Sequence, residues 1–169
     1  MERAINNAAW SMVRPREFDR DEALEKAMCV FWSKGFAATS TEDLVSAMGI
    51  GRQSLYNAFG DKRRLYLEAL RGYQRKTTGG HLSRLNSAAS PIEGVINLLA
   101  GLVPDDDRLR GLGCMGIGSV AEFGASDPDL VEMREKDFPV LRDRLISRIR
   151  EPGRYPRRCR KGGGAVRPA

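Results

Sequence analysis

The stretch TSTEDLVSAMGIGRQSLYNAFGDKRR, Thr39 to Arg64, reads as two short helices around a glycine-centred turn, with a third helix starting directly behind them. Thr39 and Glu42 have the spacing of a capping box, in which hydroxyl and carboxylate each satisfy the other residue's backbone amide. A helix is therefore expected to begin at Ser40 or Thr41. Leu44, Val45 and Met48 then recur at steps of three and four and form one apolar stripe. Gly49 supplies a left-handed stop. A second short helix is expected from Gly51 to Phe59, with Leu55 and Phe59 turned inward and Arg52, Gln53 and Asn57 turned outward. Those outward groups suit a nucleic-acid groove: arginine forks onto guanine, glutamine or asparagine onto adenine, and the Tyr56 phenol reaches a phosphate.

Upstream, Asp19 and Glu22 repeat the capping-box spacing ahead of Leu24, Ala27, Met28, Phe31 and Trp32, a helical stripe that closes at Gly35 and would brace the pair. Downstream, Asp61 can cap a helix whose Leu65, Ala69, Leu70 and Tyr73 carry it to about Lys76, before Thr77 to Gly80 loosen the chain. Lys62, in its first turn, opposes the helix dipole, a placement that a nearby phosphate would explain. Ser90-Pro91-Ile92-Glu93 opens another helix, expected to reach Leu102. An acidic loop at Pro104 to Asp107 follows, then a small, apolar run from Cys114 to Phe123, and Asp127-Pro128 starts a last helix. Its stripe of Phe138, Leu141, Leu145 and Ile149 is interrupted by Pro139, which calls for a kink or a restart. With no period-two alternation and no internal repeat, the fold class is all-α.

Composition narrows the function classes. Apolar residues make up 41% and charged residues 30% of the 169-residue chain, and no apolar run approaches the roughly 20 residues of a membrane span. The first thirteen residues lack the pattern of a secretory signal, so the cytoplasm is the expected compartment. Cys29, Cys114 and Cys159 are widely spaced, which indicates neither a disulfide framework nor a zinc site. Of the net charge of +6, residues 151–169 hold six basic side chains and one acidic, leaving 22 basic against 21 acidic in the rest. The overall basicity is thus weak grounds for nucleic-acid binding, and the helix pair carries that inference. The last nineteen residues, with four Gly and three Pro, are expected to be a disordered basic tail, either natural or the product of a shifted reading frame.

From Arg14 to about Tyr73 the chain resembles the tetracycline-repressor (TetR) family, on RPREFD, FWSKGF, ATSTEDLVSAMGI, SLYNAFGDK and LYLEAL in that order; GCMGIGSVAEFGASDPDL is a softer match to the second domain of such proteins. The resemblance implies a three-helix helix-turn-helix DNA-binding module over residues 14–62 and a helical effector-binding and dimerisation domain over 63–150, flanked by an extension, 1–13, and the tail, 151–169. It implies a ligand-responsive repressor working as a homodimer on a palindromic operator, with an unknown small-molecule effector. Thr41, Arg52, Gln53, Tyr56, Asn57 and Lys62 stand where the family touches phosphates or bases. Gly51 replaces the usual serine or threonine cap, and Asn57 a frequent histidine or aromatic. The tail cannot supply the last of the paired dimer helices, so dimerisation is expected to be weakened.

Two other classes are open to this sequence. Gly111-Leu112-Gly113-Cys114-Met115-Gly116 has the spacing of a dinucleotide-binding turn, which would suit a small nucleotide-binding enzyme, yet an acidic run precedes it rather than an apolar strand. A helical protein-interaction module is the other. No catalytic residue, metal ligand or cofactor is assigned: His81 is the only histidine, and Asp105, Asp106 and Asp107 lie together in the acidic loop.

Overall fold

A computed structural model describes residues 18–152, and these form eight helices, with no strand among the described residues. The N-terminal group is α1 (Arg20–Lys34), α2 (Thr41–Met48) and α3 (Arg52–Phe59), followed by the long α4 (Lys62–Asn86). Then come α5 (Pro91–Ala100), α6 (Asp107–Leu112), α7 (Met115–Phe123) and α8 (Pro128–Arg150). Arg14, Arg16, Cys159 and nearly all of the basic tail lie outside the described residues.

Local chemistry sets the helix starts. The Asp19 carboxylate accepts from the amides of Asp21 and Glu22 at 2.9 and 3.0 Å and caps α1. Glu22 does not complete a box; it pairs with Lys26 at 2.7 Å. At α2 the expected box is displaced by one residue. Ser40 is the N-cap, and its partner is Asp43, with Asp43 N donating to Ser40 Oγ at 3.1 Å and Ser40 N to Asp43 Oδ2 at 2.9 Å. Thr39 is instead 1% exposed, and its hydroxyl donates to the Gly35 carbonyl at 2.5 Å. Both pairs have box spacing; burial of Leu44 and Met48 fixes the helix phase and turns Thr39 into the core. Gly49 ends α2 in the left-handed region at φ 68°.

Three stretches depart from the expected boundaries or narrow them, each for its own reason. Thr77 to Gly80 do not break α4, which runs 25 residues, about 37 Å, through His81 to Asn86. The low helix propensity of those residues is overridden by packing of α4 on α1, α5, α7 and α8. Pro139 lies inside a single continuous α8, so of the two expectations, a kink or a restart, the restart does not hold. The acidic loop is in part the head of α6, with Asp106 accepting from Arg108 N and Leu109 N at 2.8 and 3.1 Å. The α8 stripe also divides: Leu141 and Leu145 are half-buried, whereas Phe138 and Ile149 are 66% and 61% exposed.

The core joins the N-terminal helices to α7 and α8. Leu44, Met48, Leu55 and Phe59 from α2 and α3 share one apolar cluster with Ala23, Ala27, Met28 and Phe31 of α1, with Leu65, Tyr66, Leu67, Ala69 and Leu70 of α4, and with Met115, Leu130 and Met133 of α7 and α8. At its centre, Tyr66 meets Phe31 edge-on at 5.0 Å between centroids, Phe36 at 5.3 Å and Phe123 at 5.4 Å. The helix-turn-helix therefore sits on a foundation that includes α7, and that foundation positions the site.

Candidate nucleic-acid interface

The α3 helix is anchored by its inward pair, Leu55 and Phe59, which are buried four residues apart. That leaves Arg52, Gln53, Tyr56 and Asn57 on the opposite, exposed face, with Tyr56 40% exposed rather than folded into the core. Gln53 Nε2 donates to Asn57 Oδ1 at 2.9 Å, one helical turn away, so the two amides hold each other upright. The Arg52 guanidinium pairs with Glu42 of α2, tying the first turns of the two helices together. Gly51 gives α3 no side-chain cap, and the first amides of that helix remain available to another acceptor.

The other two sequence-derived positions stand apart from this row. Thr41 is the first residue of α2 and half-buried, next to Glu42. Lys62 opens α4 with its ammonium 4.3 Å from the centroid of the Phe36 ring, a cation–π contact within the protein. The structure thus brings Arg52, Gln53, Tyr56 and Asn57 together and leaves Lys62 on the linkage to α1.

Four supporting contacts were missed in the sequence. Arg20 forks onto Glu68 at 2.6 and 2.7 Å and stacks 4.5 Å above the Phe59 ring, clamping α1, α3 and α4. Trp32 Nε1 donates to Gly113 O at 3.0 Å. Arg63 binds Asp127 at 2.8 Å and Asp129 at 2.7 Å while lying 4.8 Å from the Phe123 centroid. The Glu122 carboxylate of α7 accepts from the amides of Phe36, at 2.7 and 3.0 Å, and Ala37, at 3.2 Å, just after α1. Gly35, at φ 78°, makes this approach possible, because an added Cβ would collide with that carboxylate. Burial, reinforced by the Glu122 charge, pushes the Tyr66 phenol up to about 12. Several of these residues lay inside motifs the sequence singled out, Trp32, Gly113, Glu122 and Asp127 among them, but their pairing is long-range, with no local spacing to betray it.

Arg-Gln-Tyr-Asn on the free face of a short second helix, braced against a first, is the arrangement of a helix-turn-helix DNA reader. The profile of bacterial regulatory proteins of the tetR family matches residues 23–69. The chain is 35% identical over 133 residues to the HTH-type transcriptional regulator YezE of Bacillus subtilis (strain 168), covering 78% of this chain and 69% of that protein. It is 39% identical over 83 residues to the HTH-type transcriptional repressor ComR of Escherichia coli (strain K12), covering 49% of this chain and 40% of ComR. Among solved structures, a cysteine mutant of the TetR family transcriptional regulator CifR, complexed with 26 bp double-strand operator DNA, superposes with a TM-score of 0.63 at 35% identity, over 80% of this chain and 73% of that one. The TetR family regulator PfmR from Thermus thermophilus superposes with a TM-score of 0.53 at 25% identity, over 78% and 66%. This chain belongs to the TetR family of transcriptional regulators, and it is a DNA-binding regulator rather than an enzyme. The Gly111–Gly116 segment accordingly spans the end of α6 and the start of α7, without the strand that dinucleotide binding needs.

Proposed function

We propose that the chain is an effector-responsive repressor that binds a palindromic operator as a homodimer, reading bases and phosphates through Thr41, Arg52, Gln53, Tyr56, Asn57 and Lys62. The observation that carries this reading is the exposed row on α3, whose donors and acceptors match base edges while its opposite face is locked into the core. The division into a reading unit over 14–62 and an effector and dimerisation unit over 63–150 belongs to the same proposal, as does cytoplasmic residence; no described helix is long and apolar enough to cross a membrane.

Two features support the regulatory half. On α4, Gln74 Oε1 and His81 Nδ1 are buried without hydrogen-bond partners, seven residues and hence two turns apart on one face. Burial, with Arg84 nearby, lowers the His81 pKa and keeps the imidazole neutral near pH 7. A polar effector seated beside α4 would satisfy both atoms. Second, α5 exposes Ile92, Ile96 and Leu99 along one face, and α8 exposes Phe138, Ile146 and Ile149, apolar surface suited to a second copy. Sequence selection from a randomised duplex pool tests the function: the chain should enrich an inverted repeat with half-sites about one helical turn apart. Retention of the pool with no sequence enriched would refute it.

A further inference from the structure

The charge pattern around the reading helix contains a feature that a DNA-binding surface does not obviously want. Over the described residues Phe18 to Lys62 the chain carries seven acidic and five basic side chains, and over the whole unit, 14–62, eight against seven, so the unit has no basic excess. Four of the five cations are already paired with carboxylates, Arg20 with Glu68, Lys26 with Glu22, Lys34 with Asp43 and Arg52 with Glu42, while Lys62, over the neutral Phe36 ring, keeps its charge available to a phosphate. Sequence-independent affinity comes from cations that neutralise phosphates, so the described part of this unit has little of it to offer beyond Lys62. Glu42 is the sharpest case. It is an exposed carboxylate beside the reading face, and it takes the only cation on α3.

A guanidinium has five N–H donors, and Glu42 uses one edge of it, through Nη2. The remaining donors can fork onto O6 and N7 of a guanine without breaking the pair, because both new acceptors are neutral base atoms. A phosphate placed on the same guanidinium would stand beside the Glu42 carboxylate, and the like charges repel. We propose that Glu42 is a specificity-determining residue, which permits Arg52 to engage guanine and penalises its engagement with the phosphate backbone. Its ordinary role, an acidic residue in the first turn of α2 that favours the helix dipole, accounts for stability but not for discrimination between duplexes.

The inference rests on the DNA-reading assignment, and the experiment separates the two. The full chain first selects a duplex from a randomised pool; failure to enrich any sequence overturns the assignment itself. Dissociation constants are then measured across a salt series for the selected duplex and for one with its enriched guanines replaced. The proteins are the wild type, Glu42→Gln, Arg52→Ala and the double variant, with Glu42→Ala as a second probe and thermal melts confirming that each is folded. Glu42→Gln should bind the replaced duplex about tenfold more tightly, steepen its salt slope by about one and leave the selected duplex within about threefold, so that discrimination collapses. In the Arg52→Ala background the same change should shift both duplexes equally. The inference is overturned if Glu42→Gln alters both duplexes by one common factor, or if it still lowers discrimination when Arg52 is absent.

Discussion

Asp43 shows how much a single side chain of this module holds. It accepts from Lys34 Nζ at 2.7 Å and from the Ser40 amide and hydroxyl, each at 2.9 Å, so it both caps α2 and ties it to α1. Those bonds, the lysine's first, hold its carboxyl down to about 2. A depressed carboxylate contributes stability that is fully present above its unfolded value near 3.8 and lost as pH falls towards 2. Urea midpoints of the wild type and Asp43→Asn should therefore differ at pH 5 and converge between about pH 4 and 2; a gap that does not change with pH would contradict the assignment. Glu122 acts at longer range. Glu122→Ala leaves the Phe36 and Ala37 amides without their acceptor, so their native-state hydrogen exchange should quicken about tenfold, equivalent to about 1.4 kcal/mol. Unchanged exchange would mean that another group holds this turn.

At the scale of elements, α4 links the reading unit to the rest: its first half closes the core under α2 and α3, and its second half meets α5 and α8. Gly79 is itself exposed among half-buried neighbours in that second half, has no positive φ and leaves open space for a Cβ. Gly79→Ala should accordingly stabilise the protein by about 0.5–1 kcal/mol in urea unfolding, whereas destabilisation would mean that the helix is not continuous there. The same helix marks the limit of what the sequence discloses. Capping residues and three-four spacing located the starts of α1, α2, α4, α5 and α8 to within a residue, because those signals are local. The continuation of α4 through Thr77-Thr78-Gly79-Gly80 was hidden, because packing by distant helices overrides weak propensity, whereas at Pro139 the sequence left a kink and a restart both open. The row Arg52, Gln53, Tyr56 and Asn57 could be read from α3 alone, since Leu55 and Phe59 fix its inward face. The Arg52–Glu42 pair and the Glu122 contacts could not, since they join residues on different elements.

For the molecule as a whole, the exposed face of α3 and the helices α6, α7 and α8 share one foundation. Arg63 with Asp127 and Asp129, Trp32 with Gly113, and Glu122 with the turn after α1 connect α6, α7 and α8 to the helix-turn-helix. An effector that prefers one arrangement of α7 against α4 would thereby shift the presentation of α3, and only by as much as its affinities for the two arrangements differ. All of this depends on α3 reading DNA, and the most direct measurement compares Arg52→Ala with Lys62→Ala on the selected duplex and a scrambled one over a salt series. Arg52→Ala should lose about 1–3 kcal/mol on the selected duplex and much of its preference, while Lys62→Ala should weaken both duplexes alike and flatten the salt slope by about one. An Arg52→Ala protein that keeps the wild-type preference in full would contradict the account.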